Sequence, residues 1–109
     1  MSQVIPSDAK RVLGSGNRES LDIINLILQV CLNGTMKTHI MYKCNLNSKQ
    51  VQEYLELLLR FQLVEKIDSA SSRSVYHTIE RGKRLITAYG ELFDIFDQMN
   101  EANHGQAQV

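Results

Sequence analysis

The fold is decided by residues 36–68, which read MKTHIMYKCNLNSKQVQEYLELLLRFQLVEKID. Two sets of apolar residues in this stretch recur at helical spacing: Met36, Ile40, Met41 and Cys44 form the first, and Val51, Leu55, Leu58 and Leu59 form the second. Asn45-Leu46-Asn47 lies between them as a polar turn, in which Asn47 can cap the second helix. Residues that favour β-structure follow from Leu63 onward. The stretch therefore predicts two short helices joined by a tight turn and followed by a strand.

This order of elements is typical of a helix-turn-helix that runs into a wing. The second helix, predicted at residues 48–61, would then lie in the major groove of DNA as the recognition helix. A helical wheel places five polar residues opposite its apolar stripe: Lys49, Gln52, Glu53, Glu56 and Arg60. Only the first two turns would reach the groove, so we interpret Glu56 and Arg60 as an exposed pair. The same pattern also fits a compact helical core that contacts no nucleic acid.

A β-hairpin is predicted at residues 63–79. Residues 63–68 and 74–79 are rich in side chains that favour strands, and residues 69–72 between them are short and polar. We expect this hairpin to be the wing, with its tip at residues 69–73. Arg73 is the basic residue placed there to contact a phosphate or the minor groove.

The residues before the helix-turn-helix predict an arm and one further helix. Pro6 and Gly14-Ser15-Gly16 favour a flexible arm at residues 1–17. Residues 18–32 carry two apolar stripes, one of Ile24, Ile27, Leu28 and Cys31 and the other of Ile23, Leu26 and Val30. A helix that is apolar on two faces is expected to be packed on both. Asn17 or Ser20 could cap this helix, and Thr35 could cap the next one.

The chain is expected to close with a helix at residues 81–101, capped by Thr78. Gly82 near its start indicates that a neighbouring element packs close to the backbone. Five apolar residues then follow at spacings of four and three, which is a heptad seam: Leu85, Tyr89, Leu92, Phe96 and Met99. This seam predicts a homodimer held by the closing helix, although a helix folded back on its own domain fits the same spacing. Residues 102–109 are polar and are expected to form a disordered tail.

Length and charge limit the class of protein. A chain of 109 residues fits a single domain with one apolar core. It has no run of about 18 apolar residues and no basic region that leads into an apolar one. Neither a membrane span nor a signal peptide is therefore indicated. We expect a soluble, cytoplasmic, nucleoid-associated protein. The formal net charge is zero, yet residues 35–84 hold nine basic and five acidic residues, while four acidic and no basic residues follow Arg84. The central block can therefore still attract a phosphate backbone.

Catalytic and metal-binding patterns are lacking in the sequence. His39, His77 and His104 are spread over a predicted helix, strand and tail, and neither a phosphate-binding loop nor a nucleophile motif is present. We therefore predict no enzyme activity, no cofactor, no metal and no small-molecule effector. Cys31 and Cys44 do not form a CxxC pair, and we interpret them as buried, reduced thiols; a disulfide or a redox role is the alternative.

Residues 21–92 resemble a family of small archaeal winged helix-turn-helix proteins, which are transcription-factor-like or chromosome-associated DNA-binding proteins. The likeness is carried by three segments: LDIINLIL, NGTMKTHIMYKCNLNSKQVQEYLELLLRFQLVEK and YHTIERGKRLITAYGEL. It implies a mainly α fold with a small β-hairpin, a homodimer joined through the last helix as an antiparallel coiled coil, and double-stranded DNA as the partner. This chain departs from the family pattern in its closing helix, which is expected to be short and acidic.

Residues 18–80 are thus expected to form a winged helix-turn-helix domain that binds double-stranded DNA. Nine residues are predicted to face the DNA: Lys37, Thr38, Lys43, Asn47, Ser48, Lys49, Gln50, Gln52 and Arg73. The cations among them come from the parts of a docked winged helix that contact the DNA backbone. Gln50 and Gln52 could pair with adenine. The competing interpretation is a winged-helix module that binds a protein and not DNA.

Overall fold

The structure is a computed structural model that describes residues 18–70 and 73–107. It is mainly helical with a small antiparallel sheet, as the sequence predicts. The elements in chain order are α1 (Arg18–Val30), β1 (Thr35–Met36), α2 (Lys37–Cys44), α3 (Ser48–Arg60), β2 (Val64–Asp68), β3 (Ser74–Thr78) and α4 (Glu80–Ala107). The predicted arm at residues 1–17 lies outside the described residues. Within the described ranges, no helix is long and apolar enough to cross a membrane.

Helix α1 supplies one side of the core and packs against α2 and α4. Its first apolar stripe is buried throughout: Ile24, Ile27, Leu28 and Cys31. Of the second stripe, Ile23 and Val30 are half-buried against the core, whereas Leu26 keeps 39% of its surface exposed. Ser20 is a buried residue inside the helix, so the prediction that it caps α1 is wrong.

Two asparagines build the turn between α2 and α3. Asn45 ends α2 in a left-handed conformation (φ 55°), and its N–H donates to the carbonyl oxygens of Met41 and Tyr42. Asn47 begins α3, because its side chain accepts a hydrogen bond from the first turn of that helix. Leu46, between them, is half-buried against the core. The predicted turn is thereby confirmed.

Helix α3 presents its predicted apolar stripe to the core. Five of its residues are buried: Val51, Tyr54, Leu55, Leu57 and Leu58. Leu59, which was predicted to be part of the stripe, is half-buried. The helix ends at Arg60, one residue before the predicted end, and Gln62 with its positive φ of 61° turns the chain toward β2.

The sheet contains a strand that the sequence pattern does not predict. Strand β1 pairs with β3, with Thr35 opposite Tyr76 and Met36 opposite Val75, and the strand order is β1-β3-β2. The prediction that Thr35 caps α2 is therefore wrong, since Thr35 is a strand residue and Met36 occupies the cap position. A strand of two residues is too short to show the alternation of side chains that marks a strand.

Helix α4 is longer than predicted. It begins at Glu80 and continues to Ala107, so the predicted end at residue 101 is wrong, and the part of the predicted tail at residues 102–107 belongs to the helix. Residues 108–109 of that tail lie outside the described residues. The prediction rested on the lack of apolar residues in this stretch, but a helix that has already begun can continue through polar residues, because propagation is less costly than nucleation. The expectation that the closing helix is short is therefore also wrong, since the helix has 28 residues.

The start of α4 differs from the prediction in one detail and agrees in another. Thr78 does not cap the helix, because the N–H of Lys83 donates to the carbonyl of Ile79, which places the cap one residue later. The hydroxyl of Thr78 donates to the carbonyl oxygen of Leu28. Gly82 lies where a Cβ atom would overlap the carbonyl oxygen of Leu63, which confirms the predicted close approach.

Candidate nucleic-acid interface

A reciprocal capping box holds the leading end of α3. The N–H of Gln50 donates to Oδ1 of Asn47 at 2.7 Å, and the N–H of Asn47 donates to Oε1 of Gln50 at 3.0 Å. Both exposed side chains thus stabilise the first turn of the helix. The sequence predicts a base contact for Gln50, but the structure directs its carboxamide oxygen toward the N–H of Asn47. An Asn followed three residues later by Gln before an apolar run is the sequence signal for this arrangement.

A chain of polar contacts joins α2 to the exposed face of α3. The Nζ of Lys37, the first residue of α2, donates a hydrogen bond to Oε1 of Gln52. The Nε2 of Gln52 donates in turn to Oε2 of Glu56 at 2.8 Å. Lys37 is half-buried, whereas Gln52 and Glu56 are exposed. The carboxamide of Gln52 therefore lies between a cation and a carboxylate on the surface that was predicted to face DNA.

The turn of the hairpin fixes the backbone at Arg73. The carbonyl oxygen of Arg73 accepts hydrogen bonds from the N–H of Ser69 at 3.0 Å and from its hydroxyl at 2.9 Å. The hydroxyl of Ser74 donates to Oδ1 of Asp68 at 2.6 Å across the same end of the hairpin. The side chain of Arg73 is exposed. Its guanidinium therefore extends into solvent from a fixed point just before β3.

An open cleft of about 620 Å³ lies between the start of α2, the face of α3 and the hairpin. We call it the α2–wing cleft, and its lining residues are Met36, Lys37, Thr38, Gln52, Lys66, Arg73, Ser74 and Tyr76. Three of these described residues are cations, and none is acidic. Lys66 is not among the predicted contacts. It lies opposite Tyr76 in the β2–β3 register, and only the position of the hairpin beside α2 brings it to the cleft.

The structure divides the predicted DNA-facing residues into groups. The cleft brings together Lys37, Thr38, Gln52 and Arg73. The leading end of α3 and the residue before it carry the exposed residues Asn47, Ser48, Lys49 and Gln50. Lys43 is exposed near the end of α2 and does not line the cleft.

The predicted dimer seam is divided along α4. Leu85 is half-buried and packs against the core of its own domain, and Tyr89 is half-buried with its ring centroid 5.9 Å from that of Phe93. Further along, five apolar residues are between 36% and 56% exposed, and we call them the distal α4 face: Leu92, Phe93, Ile95, Phe96 and Met99. Their spacing places them along one side of the helix.

Comparison with known families identifies the fold. A family model described as "Winged helix-turn-helix" matches residues 17–97, which is most of the chain. The chain belongs to the winged helix-turn-helix family. This winged-helix protein is similar to an uncharacterized protein of the archaeon Methanocaldococcus jannaschii, with 29% identity over 84 residues that cover 76% of this chain and 78% of that one. The predicted resemblance to archaeal winged-helix proteins is thus confirmed.

Solved structures share the winged-helix fold. Sso10a-2, a DNA-binding protein from Sulfolobus solfataricus, superimposes with a TM-score of 0.70 at 24% identity, over 81% of this chain and 92% of its own. The transcription regulator MepR of Staphylococcus aureus, solved as a DNA complex, has a TM-score of 0.62 at 18% identity, over 94% of this chain and 86% of its own. At these identities the likeness establishes the fold.

The two thiols of the winged-helix protein, Cys31 and Cys44, are buried and unpaired, as predicted. Burial, with a smaller contribution from the charge of Cys44, raises the pKa of Cys31 from its ordinary value of 9.0 to about 12, and burial also raises the pKa of Cys44. Such thiols stay protonated at neutral pH, which makes them poor nucleophiles and poor metal ligands. Among the described residues, no three His, Cys, Asp or Glu side chains are grouped as a metal site requires.

Proposed function

We propose that this winged-helix protein binds double-stranded DNA, with the leading half of α3 in the major groove and the hairpin on the adjacent backbone. The observation that carries the proposal is the α2–wing cleft, which gathers Lys37, Lys66 and Arg73 and has no carboxylate among its described lining residues. DNA carries a dense row of negative charges, so cations that converge beside an exposed helix supply affinity for duplexes of any sequence.

The distribution of charge supports a local DNA-binding surface on a chain with no net charge. The formal net charge is zero, but a phosphate responds to the potential at its own position. The acidic residues that follow Arg84 all belong to α4. Because salt screens exposed charges over about 8 Å at physiological strength, cations in contact with the backbone outweigh acidic residues on a projecting helix.

The structural relatives support the same class of partner. Sso10a-2 is a DNA-binding protein, and MepR is a transcription regulator that has been solved with DNA. We therefore propose that this chain acts as a transcriptional regulator or as a chromosome-associated protein.

The candidate contacts have different roles in this proposal. Phosphate contacts are assigned to five cations: Lys37, Lys43, Lys49, Lys66 and Arg73. Thr38 and Ser48 add exposed hydroxyl donors beside them. Asn47 and Gln50 serve the cap of α3, which directs the carboxamide of Gln50 toward its own backbone and makes Gln52 the candidate for reading a base.

The measurement that tests DNA binding is the titration of a generic duplex at about 50 and 200 mM salt, since phosphate contacts weaken as salt rises. Lys66→Ala and Arg73→Ala should each flatten the salt dependence by about one unit of slope. Lys83→Ala is the matched control, because Lys83 is an exposed lysine of α4 that does not line the cleft. Absence of salt-dependent binding would contradict the proposal and favour a protein-binding winged helix.

We further propose that two copies associate through the distal α4 face. A contiguous apolar surface on a projecting helix is unusual for a monomeric protein and marks an interaction site. A second copy of α4 offers a matching apolar surface, which gives the twofold arrangement that most homodimers adopt. Sedimentation of the full chain at micromolar concentration should show a dimer, and a single species at the mass of one chain would contradict this proposal.

A further inference from the structure

The carboxamide of Gln52 is held at its two ends by groups of opposite hydrogen-bonding type. The ammonium of Lys37 can only donate, and the ionised carboxylate of Glu56 can only accept. The oxygen of Gln52 therefore faces Lys37, and its nitrogen faces Glu56. A flipped carboxamide would set N–H groups against the ammonium and an oxygen against the carboxylate. The orientation of Gln52 is thus fixed by the charges of its neighbours.

These two contacts leave half of the hydrogen-bonding capacity of Gln52 unused. A carboxamide has two acceptor lone pairs and two N–H donors. Lys37 occupies one lone pair and Glu56 occupies one N–H. One acceptor and one donor remain on an exposed side chain. Adenine in the major groove is recognised by that combination, because its N6 donates and its N7 accepts.

We propose that Lys37 and Glu56 are positioning residues that fix the direction in which Gln52 reads a base pair. This inference rests on the proposed DNA binding. An A·T pair presents N6 and N7 in one order along its major-groove edge, and a T·A pair presents them in the reverse order. A carboxamide that cannot flip matches one of the two orders. Lys37 therefore contributes to sequence selection as well as to phosphate binding. Glu56, an acidic residue on the DNA-facing helix, contributes by holding the nitrogen of Gln52.

The capping box explains why this role falls to Gln52. The oxygen of Gln50 accepts the N–H of Asn47, so Gln50 is oriented toward its own backbone. Gln52 is oriented by side chains alone. Its backbone position does not depend on the contacts that set its carboxamide, and those contacts can be altered without removing the cap.

The test compares two duplexes that differ by the inversion of one base pair. Selection from a random pool first yields the preferred duplex of the full-length protein. The pair read by Gln52 is the one at which preference is lost in Gln52→Ala. The wild type should favour A·T over T·A at this pair by about 5-fold to 150-fold, which is the range for one bidentate contact. A wild type that binds DNA without distinguishing the inverted pair would overturn the inference and leave the proposed function standing.

Variants of the two neighbours test the positioning role. Lys37→Met and Glu56→Ala should each reduce the ratio of the two affinities to within about threefold, because the bidentate match is no longer confined to one order. Lys49→Met is the matched control: it removes an exposed lysine of α3 outside the polar chain and should weaken both complexes equally. An unchanged ratio in both Lys37→Met and Glu56→Ala would show that these residues do not position Gln52.

A charge exchange gives the sharpest outcome. In the double variant Lys37→Glu and Glu56→Lys, the acceptor and the donor beside Gln52 change places while the net charge is preserved. The carboxamide should then flip, and the preference should reverse from A·T to T·A. A double variant that retains the wild-type preference would overturn the inference. A wild type without salt-dependent DNA binding would overturn the proposed function and this inference together.

Discussion

The hydroxyl of Thr78 donates a 2.6 Å hydrogen bond to the backbone carbonyl oxygen of Leu28. The N–H of Thr78 adds a 3.0 Å bond to the carbonyl oxygen of Cys31, at the end of the same helix. Thr78 is the last residue of β3 and is only 1% exposed. The hairpin is therefore anchored to α1 at the end opposite its tip.

Thr78→Val tests this anchor. The substitution keeps the shape of the side chain and removes the buried donor, so the free energy of unfolding should fall by about 1 to 3 kcal/mol in urea denaturation. Thr87→Val is the matched control, because the hydroxyl of Thr87 donates to the carbonyl of Lys83 on an exposed helix surface. The control should change stability by no more than about 0.5 kcal/mol. Equal losses in the two variants would show that burial of the bond is not decisive.

Two glycines of α4 predict opposite effects of the same substitution. A Cβ at Gly82 would overlap the carbonyl of Leu63, whereas a Cβ at Gly90 would meet nothing within 4 Å. Gly90→Ala should raise the free energy of unfolding by up to about 1 kcal/mol through helix propensity. Gly82→Ala should lower it despite the same gain in propensity, because the backbone of Leu63 must shift. Thermal or urea denaturation measures both, and stabilisation by Gly82→Ala would contradict the close approach.

The capping box separates helix stability from base preference. Asn47→Ala should lower the free energy of unfolding by about 0.5 to 2 kcal/mol, as the loss of an N-cap side chain does elsewhere. Gln50→Ala should also destabilise the protein and leave the selected DNA sequence unchanged. Gln52→Ala should instead leave the stability of the protein unchanged and alter the selected DNA sequence. A change of base preference in Gln50→Ala, measured by selection from a random pool, would return Gln50 to the reading surface.

The buried thiols predict a loss of stability in alkaline solution. Burial raises the pKa of the Cys31 thiol from its ordinary value of 9.0, which applies to the unfolded chain, to about 12 in the folded chain. Between these values the unfolded state binds fewer protons, so this contribution is fully present below pH 9 and declines as the pH rises toward 12. Urea denaturation at pH values on either side of 9 measures the slope. Cys31→Val should flatten it, and an unchanged slope would assign the effect to other groups.

Phe96→Asp tests the association of two copies. Phe96 is half exposed in the single chain, so the substitution should leave the domain folded while placing a charge in the apolar seam. Monomers should result, with weaker DNA binding because two heads no longer bind as one unit. Glu91→Gln, on an exposed position of the same helix, is the control and should remain dimeric. Persistence of the dimer in Phe96→Asp would place the interface elsewhere.

Periodic apolar residues were sufficient to predict where the helices lie, although not where α4 ends. Val51, Leu55 and Leu58 repeat at a spacing that only one face of a helix satisfies, and the structure buries all three. Strand β1 escaped prediction because two residues cannot show a period. The buried hydrogen bond of Thr78 was not predicted for a different reason. Its acceptor is the backbone carbonyl oxygen of Leu28, 50 residues away, and any residue type at that position would offer the same acceptor.

The candidate site was predictable in its parts but not in its assembly. The cap formed by Asn47 and Gln50 is local, and its signature is present in the sequence. The contact between Lys37 and Gln52 spans 15 residues and depends on how α2 crosses α3. Lys66 joins the cleft only because β3 pairs with both β1 and β2, which carries the hairpin to the start of α2.

Strand β1 passes into α2 with no residue between them, since Met36 ends the strand and Lys37 begins the helix. The pairing of β1 with β3 therefore links the hairpin rigidly to the helix-turn-helix. No loop lies between β1 and α2 that would let the hairpin change its orientation to follow a bent duplex. In the proposed complex with DNA, most of the adjustment of shape would fall on the DNA. Bending is least costly at pyrimidine–purine steps, so a rigid protein of this kind would select duplexes by their flexibility at base pairs that it never touches.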